Sequence, residues 1–419
     1  MTNDNRRHWG WVISTNFAEG LPYAVITTLS VVMMSDMGLS NTEVAAWTSL
    51  LAMPWSLKAL WSPWVRVTWM SRLQLLLAVC LAGVALSLTA DNWLLACLLS
   101  LAVGAFASAT YDVACDGYYM KALSVPQQSY FVGIRSTAYR LSMIFASGVL
   151  ATFVGLLARS NGGDLRISWV TVMGVVVVLM LAFALLHHLI LDHDIERRRD
   201  AIGNDGAAPA SLRIGRDAFL SFLHKPQLWF VLLFLIFYRL GEALLSKMTI
   251  LFLKSPVDVG GLGLDNAEYG LLYGTVGVGA LTVGGIAGGM LVARLGLRRT
   301  VVPLSLALNV PDLLYVWMSA AQPSSRLLIG TLVGIEQFGY GLGFTAYMVF
   351  MLQAAQGRHS TAHYAFLTAL MAIGMNIPSM LSGWLQEHLG YQPFFWVAAA
   401  CTLPGIALSV ALMRRLPRN

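Results

Sequence analysis

The stretch FYRLGEALLSK, residues 237–247, carries three charged side chains inside an otherwise apolar segment. Arg239 and Glu242 are three positions apart, which predicts one shared helical face, whereas Lys247 is rotated away from it. An ionisable group at bilayer depth is destabilising unless it faces a cavity or a partner. Lys247 leaves the local charge positive, which favours an external anion or a second carboxylate such as Glu336. Glu242 is also a predicted proton carrier, as are Glu19 and the Asp112/Asp116 pair, and the alternative is a purely structural ion pair.

A second charged group is the stretch YDVACDGYY, in which Asp112 and Asp116 lie four positions apart. Two neighbouring carboxylates in a low dielectric do not both ionise easily, so one is predicted to hold a proton. Arg135 and Arg140, in the next apolar segment, are expected at the same depth. The alternative is a salt-bridge cluster that closes a cytoplasmic gate.

Three further charged residues lie inside apolar segments. Glu19 stands beside Gly20 and near Pro22, residues that loosen a helix, as at many transporter sites. It is predicted to carry a proton, or else to bond to a neighbouring Trp or Tyr. Asp312 is expected at a kink or helix contact, and Lys58 is expected to extend to the membrane interface.

Several tyrosines are predicted near the centres of apolar segments and close to these charges. Their rings suit stacking on the faces of sugars, with core packing as the alternative for each of them. The residues are Tyr23, Tyr139, Tyr238, Tyr340 and Tyr347.

The composition indicates the environment of these groups. Of 419 residues, 57% are apolar and 11% are charged, whereas soluble domains carry about 25% charged residues. Apolar runs of about 20 residues, long enough to cross a bilayer as helices, recur along the chain. The sequence therefore predicts an all-α polytopic membrane protein. The net charge is +6. The sequence contains no basic patch with interleaved aromatic residues, so nucleic acid is not an expected partner.

Twelve transmembrane helices are predicted, in two pseudo-symmetric halves of six. The halves are residues 1–191 and 226–419, joined by a cytoplasmic linker, 192–225, that contains a possible amphipathic surface helix. The predicted spans are 9–33, 44–64, 72–90, 93–117, 129–157, 167–191, 226–254, 266–293, 299–321, 325–353, 360–386 and 391–413. This arrangement suggests the major facilitator fold, in which substrate binds near the midplane between the halves.

The distribution of Lys and Arg predicts the orientation. Most of the 27 basic residues fall in loops on the side of the N-terminus, and Arg159, Arg166, Lys254 and Arg326 fall on the other side. Basic loops remain in the cytoplasm. We therefore expect a multi-pass membrane protein with both termini cytoplasmic.

Several motifs, in order along both halves, resemble those of the AmpG-type muropeptide permeases. FAEGLPYAVITTLS and LKALWSPWVR are similar to the opening FxxGLP…KFLWSP of that family, and DVACDGY to its DIVxDA. AYRLSM is similar to GYRLGM, LIFYRLGEAL to YKLGDA, and GIEQFGYGLGFTAYMVFML to the FEN-x-x-GGMGT segment. Acetyl-CoA transporters and some siderophore permeases are relatives of this family.

The resemblance implies import of anhydromuropeptides from the periplasm by a proton gradient. It also implies that six residues of this chain stand at the polar positions of that family: Asp112, Asp116, Arg140, Arg239, Glu242 and Glu336. This chain departs from the family at Glu19 and Arg135, which are additional charges, and at Met375, which stands in place of an expected arginine. Arg135 could replace that arginine, and the substrate could therefore differ from the usual one.

The sequence as a whole predicts a monomeric proton symporter for a muropeptide or cell-wall-derived amino sugar, an anionic or sugar-containing small molecule. No cofactor is expected, because the proton gradient supplies the energy. Alternatives are a permease for a siderophore or an acyl-CoA-like anion, and an exporter. A membrane enzyme with metal ligands among His187, His188, Asp192 and His193 is disfavoured, because their spacing matches no zinc pattern.

Overall fold

The computed structural model describes residues 3–191, 219–225, 227–357 and 360–416. These residues are almost entirely helical, which suits a bilayer because a helix satisfies its own backbone hydrogen bonds. Each pass is treated as one element even where a turn interrupts it: α1 (Asn3–Ala24 and Ser30–Asp36), α2 (Asn41–Leu51), α3 (Met70–Ser87), α4 (Trp93–Ala122), α5 (Val125–Ile144 and Ala151–Ser160), α6 (Leu165–Ile190), α7 (Leu228–Phe237 and Leu240–Lys254), α8 (Asn266–Tyr269 and Val278–Leu295), α9 (Leu297–Asn309 and Leu313–Ala321), α10 (Arg326–Ala355), α11 (Ser360–Leu389) and α12 (Tyr391–Arg415).

Eleven helices in the described part of the chain are long and apolar enough to cross a membrane. They match eleven of the predicted spans to within a few residues. The predicted span 44–64 is different, because α2 ends at Leu51 and is followed by the short helix Met53–Leu57 and two 3-10 turns. Pro54 has no backbone N–H to donate to the carbonyl of Leu50, which weakens the helix at this point.

The described residues form two compact units. The first contains residues 3–37 and 57–191, and the second contains 38–56 together with 219–225, 227–357 and 360–416. Helix α2 therefore packs with the second unit, although the sequence places it among the first six passes.

The first unit is held by α1 packing on α5, and by α3 packing on α4 and α6. A core of aromatic and small residues that includes Trp11, Tyr111, Tyr118 and Phe131 fills the space between them. Gly20 lies at the crossing of α1 and α5, where a Cβ atom would overlap the hydroxyl of Ser142. The glycine therefore permits the close approach that brings Glu19 towards α5.

The second unit is built around α10, which packs on α8 and α9. A Cβ atom on Gly284 would overlap the carbonyl oxygen of Phe338, and one on Gly341 would overlap that of Leu281. The small residues of α8 thus bring the backbones of α8 and α10 into contact. Gly284 and Gly288 are four residues apart, the spacing that lets two membrane helices approach closely.

Helix α2 is joined to α11 by polar contacts. The Asn41 side chain donates to Gln386 Oε1 (2.6 Å) and to the Tyr391 hydroxyl (3.1 Å), and the Thr42 amide donates to Glu387 Oε1 (2.9 Å). A Cβ atom on Gly383 would overlap the Asn41 carbonyl. The two helices therefore meet backbone to backbone at this point.

Most of the predicted surface helix in the 192–225 linker, residues 192–218, lies outside the described residues. At its end, Phe222 joins the core of the second unit. The ammonium group of Lys225 donates to the carbonyls of Ala354 and Gln356, and partial burial lowers the pKa of this side chain.

Several passes are interrupted within their length. π-helical turns occur at Val25–Leu29 in α1, Phe145–Leu150 in α5 and Gly270–Gly277 in α8. A 3-10 turn, Val310–Asp312, divides α9, and α7 is broken between Phe237 and Leu240. Such interruptions are frequent at functional sites.

Candidate functional sites in the two units

The charged residues of the first unit form one connected cluster. The Lys58 ammonium group is ion-paired with Asp112, and the Arg135 guanidinium group is ion-paired with Asp116. The same guanidinium lies 3.8 Å from Glu19 Oε2 and 5.2 Å from the centre of the Tyr119 ring. We call these charged residues the unit 1 cluster: Glu19, Lys58, Asp112, Asp116 and Arg135.

This cluster joins α1, the short turn after α2, α4 and α5. Glu19 is only 5% exposed, and its position follows from the close crossing of α1 and α5 at Gly20. Asp112 and Asp116 lie four residues apart on α4 and therefore face the same partners. The sequence placed Asp112, Asp116 and Arg135 together, and the structure does so.

Other candidates of the first unit lie nearby without joining the cluster. The rings of Tyr23 and Tyr139 are 6.2 Å apart and link α1 to α5. Arg140 is partly buried on α5, five residues beyond Arg135.

In the second unit, Arg239 lies in the break of α7 against a group of aromatic rings. Its guanidinium carbon is 5.4 Å from the ring centre of Tyr340, 4.9 Å from that of Phe344 and 5.8 Å from that of Tyr347. It also donates to the Tyr340 hydroxyl. These contacts are cation–π interactions, which fix the direction of the guanidinium group.

The remaining predicted residues of α7 have different surroundings. Tyr238 is fully buried, donates to the Gly343 carbonyl (2.9 Å) and stacks on Tyr347, so it is part of the core. Lys247 is partly buried in the second segment of α7. Because α7 is broken at Arg239, the three-residue spacing from Arg239 to Glu242 does not describe a continuous helical face.

Three carboxylates of the second unit come together: Glu242 on α7, Asp312 on α9 and Glu336 on α10. One oxygen from each lies within 4.8 Å of the others, and the residues are 5%, 1% and 2% exposed. Glu336 Oε2 accepts from the Tyr315 hydroxyl (2.8 Å) and from the Gln337 amide (3.0 Å). We call Glu242, Asp312 and Glu336 the carboxylate triad.

Two members of these clusters were given other roles from the sequence. Lys58, which was expected to extend to the membrane interface, has its ammonium group bound to Asp112. Asp312 does lie at a kink, in the 3-10 turn after Pro311, but it also belongs to the carboxylate triad. In both cases the sequence signal was present, since each is an ionisable group inside an apolar segment.

The histidine group considered as a metal site is not supported where the structure describes it. His187 is buried, and its ring nitrogens bond to the side chains of Gln74 and Ser14. Its ring also stacks on Phe183. It is therefore a satisfied core residue, while Asp192 and His193 lie outside the described residues. Within the described ranges, the carboxylate triad is the group whose spacing could hold a metal ion.

Comparison with known proteins gives a consistent result. The model of the Major Facilitator Superfamily matches residues 242–419. An anhydromuropeptide permease of Escherichia coli is 25% identical over 413 residues, which cover 96% of this chain and 78% of the relative. A Rickettsia felis protein that carries the name AmpG 4 is 22% identical, with 95% and 94% of the two chains covered.

Solved structures show the same fold. A bacterial homologue of the human lysosomal transporter Spinster matches with a TM-score of 0.71 at 15% identity, covering 99% of this chain and 98% of that one. A D-xylose–proton symporter matches with a TM-score of 0.69 at 12% identity, covering 98% of each chain.

These relatives and folds are those of membrane transporters rather than enzymes. They agree with the eleven long apolar helices of the described residues and with the motifs that run through both halves. The chain is therefore a multi-pass membrane transporter with the major facilitator fold, and it resembles the AmpG-type permeases along nearly its whole length.

Proposed function

We propose that this protein is a proton symporter that imports a muropeptide or a cell-wall-derived amino sugar across the bacterial inner membrane by alternating access. It acts as a monomer with both termini in the cytoplasm. The observation that carries the proposal is the similarity to the anhydromuropeptide permease over 96% of the chain.

An anionic, sugar-containing substrate is supported by the surroundings of Arg239. A guanidinium group binds a carboxylate through two parallel hydrogen bonds, and the aromatic rings beside it offer apolar faces for a sugar. Tyr340 and Phe344 are in place on α10 to supply those faces.

Proton coupling is supported by the charge of the unit 1 cluster. Three carboxylates, Glu19, Asp112 and Asp116, share two cations, Lys58 and Arg135. One negative charge is left over among groups that are mostly buried, and a buried uncompensated charge is strongly unfavourable. A proton removes that charge, and Glu19 is the member that is both deeply buried and farthest from its cation.

The test is uptake by the purified protein in proteoliposomes. The panel contains anhydromuropeptides, free amino sugars, acetyl-CoA and siderophores, each with and without a gradient that is acidic outside. We expect the gradient to drive accumulation of the anhydromuropeptides or amino sugars. Accumulation of a siderophore or acetyl-CoA instead would change the substrate class, and a gradient that drives no substrate would contradict symport.

Two variants separate coupling from binding. Glu19→Gln should abolish gradient-driven accumulation while leaving exchange of substrate across the membrane, because exchange needs no net proton movement. Arg239→Lys should lower both by about tenfold or more, because lysine lacks the planar fork. Glu268→Gln, at an ion pair near the ends of α8 and α10, is the control and should transport normally.

A further inference from the structure

The carboxylate triad differs from the unit 1 cluster in how its charge is compensated. In the first unit, each carboxylate lies against a lysine or an arginine. In the triad, neither oxygen of Asp312 has a hydrogen-bond partner among the described residues, and the same holds for Glu242 Oε2. Both side chains are buried to at least nine-tenths. Buried polar atoms are nearly always satisfied, so these oxygens indicate a ligand.

The triad lies beside the start of a helix. Asp312 Oδ2 lies 3.4 Å from the position of a Cβ atom on Gly241, so it faces the start of the second α7 segment. The first backbone amides of a helix carry partial positive charge and stabilise an anion. An ionised carboxylate binds a metal ion, whereas a protonated one is a poor ligand.

Two interrupted helices supply these ligands. Glu242 lies in the first turn after the break in α7, and Asp312 ends the 3-10 turn that divides α9. Broken transmembrane helices are the elements that coordinate coupling ions in several transporter folds. Glu336 comes from the unbroken α10 and is fixed by Tyr315 and Gln337, so one ligand is held rigidly in advance.

The three oxygens are close enough to share one cation. They all lie within 4.8 Å of one another, so small side-chain movements would bring each of them to about 2.4 Å from a central ion, the oxygen distance typical of Ca²⁺ and of the similarly sized Na⁺. A sodium ion also suits a cycle in which the ion must leave again, because its single charge binds three carboxylates less strongly than Ca²⁺ does.

We propose that Glu242, Asp312 and Glu336 form a sodium-binding site in the second unit. Arg239, three residues before Glu242 in the sequence, carries a positive charge in the same part of α7, and the hydrogen bonds to Glu336 disperse one of the three negative charges. This site goes beyond the proposed proton symport, which uses the unit 1 cluster. Sodium bound here would stabilise the second unit and set the order in which α7, α9 and α10 rearrange.

The test is ion binding to the full-length purified protein at fixed alkaline pH. Thermal unfolding is measured in sodium, lithium, potassium and calcium chloride at equal ionic strength, together with binding of radioactive sodium. We expect sodium, and not potassium, to raise the unfolding midpoint in a saturable way, because a ligand that binds only the folded state stabilises it.

Asp312→Asn gives a distinctive pair of results. It should lose sodium binding by at least tenfold, and its sodium-free unfolding midpoint should equal or exceed that of the unmodified protein, because a buried charge has been removed. A misfolded variant would instead have a lower midpoint in every salt. Glu336→Gln should also lose sodium binding, and Glu268→Gln should retain it.

The outcomes separate this proposal from the proposed function. The sodium site is overturned if sodium and potassium give equal midpoints, if only calcium binds, or if Asp312→Asn binds sodium normally. Proton-driven uptake can persist in each of those cases. Conversely, sodium binding that requires the triad supports the site even if no substrate of the uptake panel is transported.

Discussion

Arg135 contacts two carboxylates from different helices, Asp116 on α4 and Glu19 on α1. The side chain of Arg135 is 24% exposed, and the side chains of Glu19 and Asp116 are 6% and 41% exposed. Removal of one member of a buried ion pair leaves its partner charged and desolvated, which is more destabilising than absence of the pair. Most of the lost stability should come from the unpaired charge of Glu19, because Asp116 is partly exposed to solvent.

Replacement of Arg135 tests this interpretation. Arg135→Gln should lower the free energy of unfolding by about 2 kcal/mol, less than for a fully enclosed pair because Asp116 is partly exposed. Adding Glu19→Gln to the same chain should restore most of the loss. The measurement is the unfolding midpoint in detergent.

The matched control is Arg326, which is 42% exposed and lies 2.9 Å from Glu268. Exposed pairs contribute little, so Arg326→Gln should change the stability by less than about 1 kcal/mol. Equal losses for Arg135→Gln and Arg326→Gln would show that burial does not govern the Arg135 contacts.

The sequence identified the charged residues as candidates but not all of their partners. Asp116 and Arg135 are predictable together because they lie on consecutive passes near the same membrane surface. The pairing of Lys58 with Asp112, and of Asp312 with Glu242 and Glu336, depends on which helices are neighbours and how they are rotated. That information is absent from hydropathy, since it arises only when α7, α9 and α10 pack.

Helix α8 illustrates how small residues determine the approach of two elements. Gly284 and Gly288 face the backbone of α10 and have no space for a Cβ atom, whereas a Cβ on Gly279 of the same helix would meet nothing within 4 Å. Gly270/Gly274, Gly284/Gly288 and Gly285/Gly289 share the same spacing of four, and the spacing alone does not show which pair faces a neighbour.

Alanine substitution should separate these positions. Gly284→Ala should lower the free energy of unfolding by about 1–3 kcal/mol, because the backbones of α8 and α10 must move apart. Gly279→Ala should be neutral or slightly stabilising, because alanine favours the helix and meets no neighbour. Unfolding midpoints and the yield of monodisperse protein measure both, and a tolerated Gly284→Ala would contradict this packing.

Hydropathy predicted the helical passes well and their interruptions poorly. The break of α2 has a local cause in Pro54, and the 3-10 turn of α9 contains Pro311. The break of α7 has no proline. It occurs where α12 packs closely, since a Cβ atom on Gly405 would overlap the Phe237 carbonyl. Such a break depends on a neighbouring helix, which the local sequence does not specify.

At the scale of the whole molecule, α2 packs on α11 partly through small polar side chains. Ser49 and Ser379 hydroxyl oxygens are 3.3 Å apart, and Ser379 also bonds to Ser246 of α7 (2.8 Å). Small polar side chains of this kind hold transmembrane helices together by modest energies, of about 1 kcal/mol each. These hydroxyl contacts therefore oppose separation of α2 from α11 only weakly.

A reversible cross-link tests whether α2 and α11 separate during turnover. In a chain with its four cysteines replaced, Ser49→Cys with Ser379→Cys should form a disulfide on oxidation, because the two side chains already meet. We expect uptake to stop on oxidation and to return with reductant, while Ser49→Cys alone is unaffected. Full uptake by quantitatively cross-linked protein would show that α2 and α11 stay together throughout the cycle.

The attachment of residues 38–56 to the second unit also limits how the gene can be divided. A fragment that starts at residue 226 contains six complete passes, yet it lacks the helix that covers Gly383, Ser379 and Gln386 of α11. Produced alone, it would expose a narrow strip of backbone and unpaired polar groups to lipid. Co-production with the N-terminal fragment, or with residues 38–56 as a separate peptide, would be needed for the second unit to be fully packed.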